Sequence, residues 1–250
     1  HVAIIEIQRP PHNFFDYALI QQIASAMEGI DKDNNLRAAV LCSQGKSFCA
    51  GANFNSDGTS SNQSGGSDSA DRSSHLYVEA VRLFATKTPI IGAIQGAAIG
   101  GGFGLSLVPD FRVACPESRF AANFTRLGFH PGFGLTHTLP SLIGHQKASL
   151  MFYTSRRIKG PEAYDWGLAD MLVPLDEVRQ SAINLAQEIA ENSPLGVIET
   201  RATMRQGLAD RVRKATDHEL IVQNKLRNTE DFKEGIRAVS ERRVPNFTGS

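Results

Sequence analysis

The sequence has no excess of charge of either sign. Lysine and arginine together number 26, and aspartate and glutamate together also number 26. Without a basic excess, nothing favours a surface that binds nucleic acid or a polybasic patch that binds a membrane. No apolar run approaches the roughly 20 residues that a membrane-spanning helix needs. We therefore expect neither nucleic acid nor a membrane as a partner.

Cysteine is scarce, and its three residues are scattered along the chain. Cys42, Cys49 and Cys115 form no CxxC pair. An odd, unpaired set of this kind indicates a reduced, cytoplasmic setting and no metal cluster. The first residues after His1 are apolar and β-branched, which predicts a strand rather than a signal peptide.

Short apolar runs alternate with amphipathic stretches over most of the chain. They predict strands at 2–7, 38–42, 89–94, 111–114 and 119–122. Helical spacing predicts helices at 17–30, with Asp16 as the cap, and at 76–84, 103–108 and 160–168. From Asp176 onward the strand signals vanish and helical spacing continues. The pattern predicts an α/β core, residues 1–190, followed by a helical region, residues 191–250.

Five glycines fall within the nine residues from Gly96 to Gly104, directly after the predicted strand at 89–94. A strand, a turn without side chains and a helix start present backbone N–H groups to an anion. That anion is either a phosphate or an oxyanion that develops on a carbonyl during a reaction. The glycine stretch alone leaves both open.

The segment 55–74 consists mostly of serine, glycine, asparagine and aspartate. It lacks the apolar side chains that would order it alone. It is either a surface loop or a lid that orders over a ligand.

Several motifs occur in a fixed order along the chain. Arg9-Pro10 stands near the start with Asn13 just after it, and residues 47–53 read Ser-Phe-Cys-Ala-Gly-Ala-Asn. Residues 95–102 read Gln-Gly-Ala-Ala-Ile-Gly-Gly-Gly, and the chain closes with related stretches at 230–238 and 242–247. This ordered set resembles the enoyl-CoA hydratase/isomerase (crotonase) superfamily, with its AF-(S/A)-AGAD and NG-x-x-x-GGG motifs. The resemblance covers essentially the whole chain.

The resemblance implies a spiral of ββα units with a C-terminal helical trimerisation region, in a homotrimer or a dimer of trimers. It implies an acyl-CoA substrate and no other cofactor, because coenzyme A is part of the substrate. The thioester oxygen would lie in an oxyanion hole formed by the N–H groups of Ala52 and Gly101. By the same likeness, these residues would bind the coenzyme A part: Ala50, Asn53, Phe54 and Arg242. Arg242 is otherwise a solvated surface charge.

The chain departs from the family at both catalytic carboxylates. The hydratases that it resembles carry one glutamate two residues after the glycine triplet and a second one twenty residues later. Those positions are Gly104 and Phe124 here. Hydration needs one group that takes a proton from water and another that delivers one to carbon, and neither of these side chains titrates. Ordinary hydratase activity is therefore not expected.

Other residues are candidates for moving the proton. His130 precedes Pro131-Gly132, and histidine is a general base near neutral pH; its alternative role is structural. His75 and Tyr77 lie near the start of the helix at 76–84, where a surface or core role is the alternative. Asn123 would hydrogen-bond the substrate or a water, or would simply end a strand.

Three phenylalanines, Phe124, Phe129 and Phe133, form either an apolar pocket wall or ordinary core packing. As a pocket wall they would favour a hydrophobic or aromatic acyl group.

Three functions remain to be weighed. The first is an acyl-CoA enzyme that uses the oxyanion hole with a non-standard proton carrier, for isomerisation, C–C hydrolysis, decarboxylation or residual hydration. The second is a non-catalytic acyl-CoA-binding protein that keeps the hole and has lost the acids. The third is a phosphate- or dinucleotide-binding domain. It is disfavoured because the glycine triplet lacks the G-x-G-x-x-G spacing and no Lys-Ser/Thr follows.

Overall fold

The computed structural model of the chain describes residues 1–53 and 76–250. The predicted loop or lid at 55–74 lies outside the described residues, as do the candidate ligand-binding residue Phe54 and the candidate proton carrier His75.

The larger sheet has parallel strands in the order β1-β2-β4-β6-β9. Its strands are β1 (Val2–Ile7), β2 (Ala38–Ser43), β4 (Ile90–Ile94), β6 (Phe111–Ala114) and β9 (Met171–Leu172). Alternate residues face two hydrophobic cores. Ala39 and Leu41 belong to the larger core, whereas Val40 and Cys42 pack in the core that contains Ala182. Both faces are covered, which explains why every residue of β2 is buried.

The smaller sheet has the strand order β3-β5-β7-β8. Its strands are β3 (Ser47–Cys49), β5 (Ala97–Ile99), β7 (Arg119–Ala121) and β8 (Arg157–Lys159). The first three run parallel to one another, and β8 pairs antiparallel with β7. A strand of the larger sheet leads directly into one of the smaller sheet at β2–β3, β4–β5 and β6–β7. Helical segments separate these pairs, so the prediction of a spiral of ββα units is confirmed.

Helices connect the strand pairs and form the C-terminal part of the chain. They are α1 (Tyr17–Ile30), α2 (Leu76–Phe84), α3 (Gly101–Ser106), α4 (Leu135–Ile143), α5 (His145–Thr154), α6 (Gly160–Asp165), α7 (Val178–Ala190), α8 (Pro194–Met204), α9 (Leu208–Leu226) and α10 (Glu230–Ser240). Short 3₁₀ turns lie at Thr125–Leu127 and Leu175–Glu177. Among the described residues, no helix combines the length and the apolar character that crossing a membrane would require.

The C-terminal helices pack against the α/β part of the same chain. The Glu219 carboxylate on α9 accepts a hydrogen bond from the Gly134 N–H at the start of α4. A Cβ on Gly235 of α10 would lie 2.6 Å from the Leu127 carbonyl oxygen, so α10 contacts the backbone of the 3₁₀ turn. The domain boundary at residue 190 and the trimer stay predictions.

Two predictions around the glycine stretch are wrong in detail. The residues after Gly96 are predicted as a turn, yet 97–99 form β5 between β3 and β7. The helix predicted at 103–108 begins at Gly101 and ends at Ser106. A strand of three small apolar residues shows no readable alternation, and its existence depends on partners far away in the sequence.

The Asp16 cap gives a test of local stability. The Asp16 carboxylate accepts a hydrogen bond from the Leu19 N–H at 2.8 Å, and it pairs with Arg9 at 2.8 Å. We expect Asp16→Ala to lower the free energy of unfolding by about 1 kcal/mol, because an N–H at the helix start loses its acceptor. Asp16→Asn keeps an acceptor and loses only a partly exposed ion pair, so it should lower the free energy of unfolding by less. Urea denaturation measures both, and equal losses would contradict the capping role.

Candidate functional site

The turn after β3 lies directly against the start of α3. Gly51 has a φ of +83°, a conformation that side chains disfavour. A Cβ on Gly51 would lie 2.6 Å from the Ile99 carbonyl oxygen and 3.7 Å from the Gly101 backbone nitrogen. The structure thus brings the Ala50–Ala52 turn and Gly101 together, although about fifty residues separate them in the sequence.

Two backbone N–H groups at this junction make no hydrogen bond within the described part of the chain. Among the described residues, neither the Ala52 N–H nor the Gly101 N–H has an acceptor. The preceding residue, Gly100, gives its own N–H to the Ala121 carbonyl at 2.8 Å, and as the N-cap residue of α3 it has no side chain that could accept from the first N–H groups of the helix. Open donors of this kind suit an oxygen that carries negative charge.

Backbone and side-chain hydrogen bonds hold the turn in place. The Phe15 N–H donates to the Gly51 carbonyl at 3.1 Å, and the Ala50 N–H donates to the His12 carbonyl at 2.9 Å. Asn13 is fully buried, and its Nδ2 donates to the carbonyls of Gln44 and Ser47 at 2.7 Å each. The segment before α1 therefore fixes both ends of β3, which carries the turn.

The glycines of α3 permit close packing within the protein itself. A Cβ on Gly101 would overlap the Phe15 ring, and one on Gly102 would overlap the Cys49 carbonyl. The absence of side chains was expected to admit an anion. The structure adds a second reason, since the first turn of α3 fits against β3 only without side chains.

Phe133 occupies the space beside Gly104. By the resemblance, position 104 is the one at which the hydratases carry their first glutamate. A Cβ on Gly104 would lie 2.6 Å from Cβ of Phe133 and 2.8 Å from its ring carbon Cδ1. Phe133 is buried with a φ of +62°, and its ring centroid lies 5.9 Å from that of Phe15. The residue at 104 therefore has no room for a side chain while Phe133 stays in place.

Asn123 and Phe124 lie over Gly100. A Cβ there would lie 3.4 Å from Asn123 Oδ1 and 3.9 Å from Phe124 Cζ. Phe124, which by the resemblance stands at the position of the second hydratase glutamate, thus places a phenyl ring near Gly100. Asn123, the residue before it, places a polar oxygen there. The third phenylalanine of the predicted wall, Phe129, instead packs against Phe232 of α10, with the two rings tilted and their centroids 5.1 Å apart.

His130 is held by its own turn and by α9. Its Nδ1 lies 2.8 Å from the Pro131 carbonyl oxygen, which only accepts, so Nδ1 carries a proton. The His130 carbonyl accepts from Gln223 Nε2 at 2.9 Å, and its ring meets His218 edge-on at 6.2 Å. The described contacts of His130 do not include Ala52 or Gly101. The structure therefore does not bring the imidazole into contact with the open N–H pair.

Sequence analysis missed a buried polar network behind this turn. Tyr77 donates from its hydroxyl to Gln223 Oε1 at 2.8 Å. The fully buried Glu219 carboxylate accepts from the N–H groups of Gly134 and Thr136 at 2.8 and 3.0 Å. Burial raises the pKa of the Glu219 carboxyl. Helical spacing could have indicated that these two residues are buried, because Glu219 and Gln223 continue the stripe of buried positions on α9 that begins at Val212.

The remaining candidate ligand-binding residues lie at differing depths. Ala50 is half-buried, whereas Asn53 and Arg242 are exposed. Arg242 follows α10 and has a φ of +55°. The described residues contain no group of three or more histidine, cysteine, aspartate or glutamate side chains placed to hold a metal ion.

Comparisons with known proteins give a consistent result over the whole chain. The family model described as enoyl-CoA hydratase/isomerase matches residues 1–250. A "probable enoyl-CoA hydratase" of Bacillus subtilis strain 168 is 31% identical over 253 residues, which cover 99% of this chain and 95% of the relative. A "probable enoyl-CoA hydratase 2, mitochondrial" of Arabidopsis thaliana is 30% identical over 253 residues, which cover 98% of this chain and 81% of the relative.

Solved structures agree with the sequence comparisons. The crystal structure of an enoyl-CoA hydratase/isomerase from Pseudoalteromonas atlantica T6c has a TM-score of 0.86 and 25% identity, with 99% of this chain and 96% of that chain covered. The structure of EchA1_1 from Mycobacterium paratuberculosis has a TM-score of 0.84 and 28% identity, with 100% of this chain and 95% of that chain covered.

The contact between Gly104 and Phe133 gives a direct test of packing at the site. We expect Gly104→Ala to lower the free energy of unfolding by about 1–3 kcal/mol, because its methyl group would overlap the Phe133 side chain. Gly29→Ala is the control, since a Cβ there has no atom within 4 Å. Chemical denaturation measures both variants. A Gly104→Ala protein as stable as the parent would contradict the described packing.

Proposed function

Because the chain belongs to the enoyl-CoA hydratase/isomerase family, we propose that it is an enzyme that stabilises an enolate of an acyl-CoA thioester. The N–H groups of Ala52 and Gly101 would donate to the thioester oxygen. The observation that carries the proposal is that these two open donors lie at one junction, where Gly51 approaches the Gly101 nitrogen.

The chemical reason is the charge that forms next to the thioester. Removing a proton from the α carbon, or breaking a bond to it, transfers negative charge to the carbonyl oxygen. Donors already in place there require no reorganisation, and removing one typically costs roughly 3–4 kcal/mol of transition-state stabilisation. The hydrogen bonds from Phe15, Ala50 and Asn13 keep the turn that carries one of these donors in position.

Hydration by two carboxylates is not part of the proposal. Gly104 and Phe124 stand at the two positions concerned, and Phe133 fills the space where a side chain at 104 would lie. The proposed reaction is instead one that shares the enolate: isomerisation, hydrolysis of a β-keto C–C bond, decarboxylation, or hydration with a different proton carrier.

We assign proton transfer to His130. With its proton on Nδ1, held by the Pro131 carbonyl, a neutral imidazole presents Nε2 as the base. Gln223 fixes the backbone at the same residue, and Tyr77 in turn fixes Gln223. Asn123 Oδ1, beside Gly100, would orient the substrate or a water.

The surroundings of the glycine stretch suggest the kind of acyl group. Phe124 and Phe133 lie against Gly100 and Gly104, and both are buried. An apolar wall of this kind favours a hydrophobic or aromatic acyl chain over a short polar acid. We further propose that Ala50, Asn53, Phe54 and Arg242 bind coenzyme A, and that the cytoplasmic protein assembles as a homotrimer or a dimer of trimers.

His130→Ala tests the proton carrier. We expect kcat to fall roughly 100- to 10,000-fold on the best substrate from a panel of acyl-CoA thioesters, because the general base is lost. The Kd for that substrate should change little. His145→Ala is the control, since His145 is an exposed residue of α5. Turnover is followed by mass spectrometry of the products, and full turnover by His130→Ala would remove His130 from the mechanism.

A second candidate is a non-catalytic acyl-CoA-binding protein of the same fold. The loss of both carboxylates, with Phe133 closing the first position, favours it. Isothermal titration calorimetry with the same panel of thioesters, together with product analysis, separates the two. We expect binding with product formation for at least one thioester. Tight binding with no product from any of them would support the second candidate.

A further inference from the structure

A cluster of charges, in which Arg112 and Arg201 are buried and Asp110, Arg205 and Asp170 are partly exposed, lies at the amino end of the larger sheet. Asp110, just before β6, accepts from the Ile90 N–H at the start of β4 at 2.9 Å. The glycine stretch follows the other end of β4. The cluster is therefore separate from the proposed acyl-CoA site, and an inference about it does not depend on the proposed function.

Two arginines from the C-terminal helices converge on Asp110. Arg201 of α8 places Nε at 3.0 and 2.9 Å from the two carboxylate oxygens. Arg205, just after α8, places Nη1 at 2.8 Å from Oδ1. Because both arginines contact the same oxygen, their guanidinium groups are immediate neighbours.

The cluster carries one positive charge in excess. Arg112, which is 3% exposed, pairs with Asp170 at 3.1 Å and donates to the Leu168 and Pro109 carbonyls at 2.7 Å each. Three guanidinium groups thus face two carboxylates, Asp110 and Asp170. Asp110 already receives both arginines and a backbone N–H, so its acceptor capacity is largely used.

Part of this charge is buried without an acceptor. Arg201 is 8% exposed, and its buried Nη2 has no acceptor among the described residues. Arg205 is 16% exposed, but its Nε and Nη2 are themselves buried and also lack an acceptor there. Burial and the neighbouring Arg201 lower the pKa of the Arg205 guanidinium. A water molecule would satisfy a donor but would leave the excess charge, and a buried charge without a counter-charge is strongly unfavourable.

We propose that Arg201 and Arg205 bind one small anion, of the size of a halide, through the buried donors that lack an acceptor: Nη2 of Arg201 and Nε and Nη2 of Arg205. The anion neutralises the excess charge and accepts from the buried donors. Since Arg201 also donates to the Thr86 carbonyl after α2, the occupied site joins α8 to the α/β part of the chain. The anion therefore stabilises the docking of α8.

Anion-dependent unfolding of the full chain tests the site. Bromide is the probe, and it replaces gluconate, which is too large for a buried site, at constant ionic strength. At a bromide concentration ten times its Kd, we expect the equilibrium constant for unfolding to fall about 11-fold. Arg205→Met should abolish this response, and it should be at least as stable as the parent in gluconate because it removes the excess charge.

Arg156→Met is the matched control, since it makes the same substitution at an exposed arginine. Arg156→Met should respond to bromide as the parent does. General effects of salt act on both variants alike, so the difference between their bromide responses reports the site alone. Equal unfolding of the parent in both salts, or an unchanged response in Arg205→Met, would overturn the proposal.

Anomalous diffraction from crystals grown in bromide needs no variant. We expect a bromide peak within about 3.5 Å of Arg201 Nη2 and of Arg205 Nε or Nη2, which is slightly longer than ordinary hydrogen-bond range because the ion is large. A water molecule alone at this place would overturn the proposal. A carboxylate from a second copy of the chain against the same nitrogens would also overturn it, and would instead assign the two arginines to a subunit interface.

Discussion

The site depends on one close approach, between the turn after β3 and the first turn of α3. Gly51, Gly101 and Gly102 allow it because each would collide with a neighbouring carbonyl or with the Phe15 ring if it carried a side chain. The approach places the N–H groups of Ala52 and Gly101 at one junction, where neither has an acceptor among the described residues. The proposed anion site and the packing contact thus both require that the glycine positions carry no Cβ atom.

Phe133 occupies the space that a side chain at position 104 would need. Phe133 has a positive φ, and its side chain packs against Gly104 and against the Phe15 ring. That segment also carries His130, and α9 supports it through Gln223 and Glu219. The C-terminal helices therefore support the turn that carries His130, while Asn123 places a polar oxygen beside Gly100.

Two of the contacts between the C-terminal helices and the rest of the chain involve carboxylates in different settings. Glu219 lies on α9 and accepts hydrogen bonds from neutral donors at the start of α4. The effect of burial outweighs that of these hydrogen bonds, so the pKa of the Glu219 carboxyl is raised. Asp110 lies on the sheet side and receives two arginines from α8 and its end. The first arrangement supports the turn of His130, and the second leaves a buried positive charge that calls for an anion.

The sequence alone determined the family, the ββα core, the helical C-terminal part and most strand positions, because those features are written in local spacing and ordered motifs. It also predicted, from the family resemblance, that the two hydratase carboxylates are absent because Gly104 and Phe124 stand at their positions. Only the tertiary structure decided that Phe133 closes the first of these positions, that β5 forms, and that Arg201 is buried. Each of these outcomes depends on contacts between residues far apart in the chain, and neither periodicity nor residue type carries that information.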